Sequence, residues 1–170
     1  MICGQLNECI EDRNEMCRRE RQCIQYTDTR STVKCEEKRK KYHLNNDCGG
    51  KIRKYQMDGQ IVRNEQGFDA CDHLLAVYGE RETRLVFVEL KGKDFKHAVE
   101  QTYHTVKYFS TFLEKKKLYA RIVHVEGVPR IGNSGPMVDL ERLLRKNGGN
   151  LKKHEWCLPE KVSDLDRKEL

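Results

Sequence analysis

The sequence predicts an α/β domain whose central mixed sheet is flanked by helices, and three observations predict it. Strand-like stretches near 52–61, 71–78 and 85–91 follow one another with only turns between them. An amphipathic segment at 95–117 comes next, and a further apolar strand follows it. Strands joined by a short connection pair antiparallel, whereas an intervening helix returns the chain for a parallel pairing, so the sheet is mixed. A length of 170 residues suits one domain with a real core.

In chain order, residues 3–25 read as a helix with a thin apolar stripe: Leu6, then Cys9/Ile10, Met16/Cys17 and Cys23/Ile24, the last three pairs spaced by seven. This N-terminal helical extension, 1–28, packs on the fold or binds a protein partner or a second copy as a homodimer. YTDTRST ends it and offers N-caps for a second helix reaching about His43, which carries Glu36, Glu37 and the basic run Lys38–Lys41. NNDCGG is a turn. KIRKYQMDGQIV follows as a strand with Arg53, Tyr55, Met57 and Ile61 on one face, and RNEQG turns again. CDHLLAVYG and RLVFVELKG are strands joined through ERET as a hairpin. The helix at 95–117 sets Ala98, Thr102, Val106, Phe109 and Leu113 along one stripe. LYARIVHVEG is a fourth strand, and PMVDLERLLRKNGG a short helix begun at Pro136 and stopped by Gly148-Gly149. NLKKHEWCLPE reads as a last strand and 161–170 as a tail. The core thus spans 30–126, with a C-terminal helix and strand extension over 127–160.

Composition narrows the class. Charged residues make up 35%, and 33 Lys+Arg against 27 Asp+Glu give a net charge of +6. That balance favours an anionic partner, a nucleic acid or an anionic membrane surface. No run approaches the roughly 18 apolar residues of a spanning helix, so no membrane partner is expected. The start, MICGQLNECIEDRNE, has no basic region followed by an apolar one, so no secretory signal is expected. The eight cysteines are then expected as reduced thiols of a cytoplasmic protein.

The segment LVFVELKGKD ends an apolar strand in charge. Side chains alternate along a strand, so Glu89 and Lys91 share a face with Leu85 and Phe87, while Val86, Val88 and Leu90 face the other way. The hairpin brings Asp72, at the start of the preceding strand, to the same end of the sheet. Two carboxylates there can hold a hard divalent cation such as Mg²⁺. A neighbouring lysine can orient or deprotonate an attacking water and offset phosphate charge.

Asp72-x16-Glu89-Leu90-Lys91, with the order helix, three strands, helix, strand, resembles the PD-(D/E)xK nuclease superfamily and its restriction-endonuclease-like αβββαβ core. The resemblance covers residues 30–126 and is densest from Asp72 to Gln101. It implies a metal-dependent deoxyribonuclease using Mg²⁺ or Mn²⁺, with Asp72, Glu89 and the Leu90 backbone carbonyl as ligands and Lys91 as the catalytic lysine. It also implies a site-facing glutamine on the following helix, here Gln101, about 60° around that helix from Ala98. Asp58, in QMDGQ, is a second-rank ligand or water-holder, and Asp69 a competitor of Asp72. Some relatives use a glutamate of the first helix, which leaves Glu36 and Glu37 both open. The sequence departs from the pattern at Cys71, where a proline precedes the aspartate, and at Thr105, where one exonuclease branch has tyrosine. The alternative function is a catalytically silent or partner-dependent nucleic-acid-binding module of the same fold.

Lys93, Lys96, Lys40, Lys41, Arg53 and Lys54 are the candidates for phosphate contact. Their sequence neighbours do not show the spaced aromatics of a single-strand binder, so double-stranded DNA is the expected partner. Lys115–Lys117, at a helix C-terminus, suit the helix dipole instead. His43, Cys48, Cys71 and His73 fit no standard zinc spacing. Tyr26, Tyr42 and Trp156 read as packing residues, and His97 and His104 as surface groups.

Overall fold

A computed structural model of the chain describes residues 6–11, 23–62, 69–113, 115–125 and 135–167. The described helices are α1 (Leu6–Ile10), α2 (Phe95–Ser110) and α3 (Gly135–Lys146). The strands are β1 (Ile24–Asp28), β2 (Thr32–Glu37), β3 (Lys40–Asn45), β4 (Ile52–Gln56), β5 (His73–Tyr78), β6 (Thr83–Leu90), β7 (Lys117–His124), β8 (Leu151–Glu155) and β9 (Cys157–Lys161).

A six-stranded central sheet runs in the order β1-β4-β5-β6-β7-β8. Neighbours from β1 to β6 are antiparallel, and β6, β7 and β8 are parallel. The predicted mixed sheet is therefore present. Helices cover one of its faces: Leu85, Phe87, Ala120 and Ile122 pack against Ala98, Val106 and Phe109 of α2 and Leu140 of α3. The opposite face carries a second sheet, β2-β3-β9, in which β3 pairs antiparallel with β2 and parallel with β9. Val86, Val88, Leu90 and Val123 meet Val33, Cys35, Tyr42, Leu44 and Leu158 there. Burial on both faces explains why β6 and β7 read as nearly continuous apolar runs.

Local chemistry sets the helix ends. The Asp94 carboxylate accepts from the His97 backbone N–H at 3.0 Å and caps α2. α2 stops at Ser110, short of the predicted 117, and the chain turns through Lys115 at a positive φ of 62°. α3 ends as GG predicts: Gly148 takes φ 72°, and Gly148 and Gly149 donate to the Arg145 and Leu144 carbonyls.

Three expectations need correction. The second helix, to His43, is a β-hairpin: Val33 and Cys35 on β2 and Tyr42 and Leu44 on β3 are buried at strand spacing. The N-terminal helix does not run to 25, because Ile24 begins β1 and pairs with Tyr55. Its middle, with Met16 and Cys17, lies outside the described residues, as does RNEQG. The last strand is two strands in different sheets, and the start of the supposed tail is anchored by buried Val162 and Leu165.

Candidate functional site

The register that pairs His73 with Val88 puts Asp72 opposite Glu89, one step beyond the end of β5. Like charges facing each other across a ladder repel, so this arrangement needs a compensating partner. Asp72 Oδ2 accepts the Leu90 backbone N–H at 2.7 Å, which fixes its carboxylate at the end of β6. The Glu89 side chain is 2% exposed, and its Oε2 has no hydrogen-bond partner among the described residues. Lys91 Nζ stands 3.9 Å from Glu89 Oε1 and donates to Gln101 Oε1 at 3.1 Å. Gln101 in turn donates to the Ala70 carbonyl at 2.5 Å. The amide thus bridges the chain entering β5 and the lysine leaving β6.

Burial and the neighbouring Asp72 charge push the Glu89 pKa up to about 8. Burial also drives Asp72 above its ordinary range, although the Leu90 N–H bond works against it. Both shifts resist ionisation, so without a cation Glu89 keeps its proton at neutral pH, and a cation placed beside the pair would favour the charged forms.

These groups line a cavity of about 580 Å³ with Glu37, Lys38, Arg39, Lys40, Asp58, Val125 and Trp156. It lies at the carboxyl ends of the parallel strands β6, β7 and β8, where open α/β sheets take their ligands. Between the two glutamates left open by sequence, Glu37 lines the cavity, whereas Glu36 bonds His43 at 2.6 Å. Asp58 lines the cavity from an exposed turn after β4. Asp69, by contrast, sits 3.6 Å from His97. Among the described residues, no three His, Cys, Asp or Glu side chains converge as a ready metal cluster.

The expected phosphate contacts divide. Lys93, Lys96 and Lys41 are exposed, and Lys40 lines the cavity while pairing with Glu37 at 3.1 Å. Arg53 and Lys54 are buried: Arg53 donates to the Thr27 hydroxyl and the Cys9 carbonyl, and Lys54 to the Lys34 carbonyl. Those two belong to the fold's interior rather than to a solvent-facing cationic surface. The paper zinc set is also dispersed: Cys48 is exposed, and burial raises the Cys71 pKa and lowers that of His73 to about 4.

The basic run Lys38–Lys41 stood out in the sequence, but not the placement of Lys38 and Arg39 at this cavity, and Trp156 read as packing. The hairpin tip carries Lys38 at φ 55°, and Trp156 takes φ 61°. A bulky residue in that region costs about 1–3 kcal/mol and is held by its surroundings. Here the Trp156 N–H donates to the His124 carbonyl at 2.8 Å, and its own carbonyl accepts the Lys41 N–H at 2.8 Å. Trp156 is the single residue through which the chain passes from β8 to β9, and so from one sheet to the other. The trace of the hairpin in the sequence is the alternation of Val33 and Cys35 and of Tyr42 and Leu44, which the turn at Lys38 interrupts.

Comparison of the chain with protein-family models, curated proteins and solved structures finds no match. Among the described residues, no helix is long and apolar enough to cross a membrane.

Proposed function

We propose that the chain is a metal-dependent deoxyribonuclease with a restriction-endonuclease-like core, hydrolysing phosphodiester bonds at the Asp72–Glu89–Lys91 site. The observation that carries this reading is the buried, unpartnered Glu89 oxygen opposite Asp72, with Lys91 steadied beside it by Gln101. The β5–β6 hairpin, the α2 crossover and parallel β7 support the core assignment. The early hairpin β2–β3, where that core has a helix, is a departure from it.

Asp72, Glu89 and the Leu90 carbonyl would hold Mg²⁺ or Mn²⁺. Bound there, the ion supplies Lewis-acid polarisation of a phosphate oxygen and a more acidic water. The chain's own side chains do the rest. Glu89 gives up its proton so that its carboxylate can bind. Lys91 offers its remaining N–H donors to an attacking water or to a phosphate oxygen, offsetting charge that builds as the bond breaks. Gln101 holds Lys91 toward the site. Lys93 and Lys96, exposed just beyond it, offer phosphate contacts that position the strand without reading sequence.

The test is a panel of labelled linear, circular, branched and single-stranded DNA incubated with Mg²⁺, with RNA alongside. Wild-type protein should cleave at least one DNA member and lose that activity in chelator. Asp72→Asn and Lys91→Ala, folded by circular dichroism, should be slower by about 10²-fold or more. Cleavage by both variants at the wild-type rate would falsify the assignment.

A further inference from the structure

The candidate site has an aromatic wall that its acidic chemistry does not use. Trp156 is the one tryptophan of the chain, is 36% exposed, and lines the same cavity as Glu89 and Lys91. Among the described residues, no ring or cation stacks on its indole. The other large exposed apolar side chain among the described residues, Phe112, is different: it lies beyond α2 and packs against Tyr108 with ring centroids 5.4 Å apart.

Position makes Trp156 informative. It follows β8 directly, Glu89 and Leu90 end β6, and β7 lies between. Two strand spacings separate them, about 10 Å, which is within reach of a nucleotide bound by its phosphate. Its backbone is hydrogen-bonded on both sides, so the ring is mounted on a fixed support. Lys38 and Arg39 of the hairpin tip line the same cavity as Trp156. A carboxylate pair for a metal-bound phosphodiester, cations for flanking phosphates and an open aromatic face form one concave surface.

We infer that the cavity takes a nucleic-acid strand with an unpaired base at the site, the base stacking on Trp156 while Lys38 and Arg39 contact the adjoining backbone. The inference rests on the proposal that this cavity handles a phosphodiester, and it names the substrate class. Single-stranded segments, frayed ends and branch points qualify, whereas a closed duplex does not, because its bases are already stacked on one another. Sequence alone pointed to duplex because the neighbours of the basic residues do not show the spaced aromatics of a single-strand binder. The fold supplies one from far along the chain.

Because Trp156 is the only tryptophan, its emission reports on the site alone. A short oligothymidylate, the same strand made wholly abasic, and a duplex closed at both ends by non-nucleotide linkers, of equal phosphate count, are titrated in chelator, so that nothing is cut. Saturable quenching by the oligothymidylate is expected, with affinity about tenfold or more above that for the other two probes. In anisotropy with a labelled oligothymidylate, Trp156→Ala should bind about tenfold more weakly and Trp156→Phe should keep most of the affinity. Equal affinity for the abasic and thymidylate strands overturns the inference, and needs no variant to fold. So does unchanged binding by Trp156→Ala. Base-dependent quenching without hydrolysis on any substrate upholds the stacking and sinks the nuclease reading. Hydrolysis with base-independent binding does the reverse.

Discussion

Glu89 and Glu160 both have side chains only 2% exposed, yet their surroundings are opposite. Glu160 accepts from Arg121 Nε at 2.7 Å and Nη2 at 2.9 Å, from Lys152 at 2.6 Å and from the Tyr42 hydroxyl at 2.9 Å. Burial alone would raise its pKa, but the Arg121 and Lys152 bonds outweigh that and hold it below the ordinary carboxylate range. Glu89 has an unpartnered oxygen, an acidic neighbour and a lysine 3.9 Å away, and its pKa rises to about 8. One carboxylate is complete within the protein, joining β3, β7 and β9 across the two sheets. The other has an oxygen without a hydrogen-bond partner among the described residues. That contrast, more than the acidic residues as such, separates a structural ion pair from a candidate site.

The contrast breaks or holds on stability measurements. The largest effect belongs to Glu160→Gln, which leaves the Arg121 guanidinium buried without its counter-charge. It should cost about 3–5 kcal/mol in denaturant unfolding, and a loss below about 1 kcal/mol would make the two glutamates alike. Glu89→Gln should move the other way. In metal-free protein the folded state keeps the Glu89 proton to about pH 8, while the unfolded chain releases it near 4.5. Stability from this group therefore falls as pH rises through that window and is flat above it. The variant should escape the fall and exceed wild type by about 2–4 kcal/mol at pH 9 in chelator, while losing both cleavage and stabilisation by Mg²⁺. Identical pH–stability curves for variant and wild type would remove the argument from burial. Glu160 has the opposite slope: its contribution is present above the unfolded value and lost in acid as pH falls through its lowered folded pKa. The smallest effect is that of Gln101→Leu. Freed from its amide, Lys91 should support cleavage about tenfold more slowly, with stability changed by under about 1 kcal/mol; a rate equal to wild type would remove Gln101 from the site.

Asp72, Glu89, Lys91 and Gln101 were legible because local rules place them: a short hairpin fixes which residues face, alternation fixes the side, and a crossover helix follows. The β2–β3 hairpin was not. Its run Glu36–Lys41 mimics the opposite-charge spacing of an exposed helix, and the alternation of Val33, Cys35, Tyr42 and Leu44 is interrupted by the turn at Lys38. What selects strands there is pairing with β9 and burial against Val86 and Val88, partners that no short window contains. Trp156 was read as packing for the same reason, since its place on the rim depends on the sheet change between β8 and β9. Arg53 and Lys54 carried the right charge, but position on β4 turned them inward.

The joining of β3 to β9 also sets an order of events. Tyr42 meets Glu160 across 118 positions of chain, so the second sheet cannot close until nearly all of the described chain has been made. Asp72, Glu89 and Lys91 leave the ribosome well before the residue that turns into β9 and completes their cavity. Long-range pairings of this kind form late. The sheet change at Trp156 is thus among the last parts of the described fold to be set, and the cavity it walls is completed only after the carboxylates and lysine beneath it are in place.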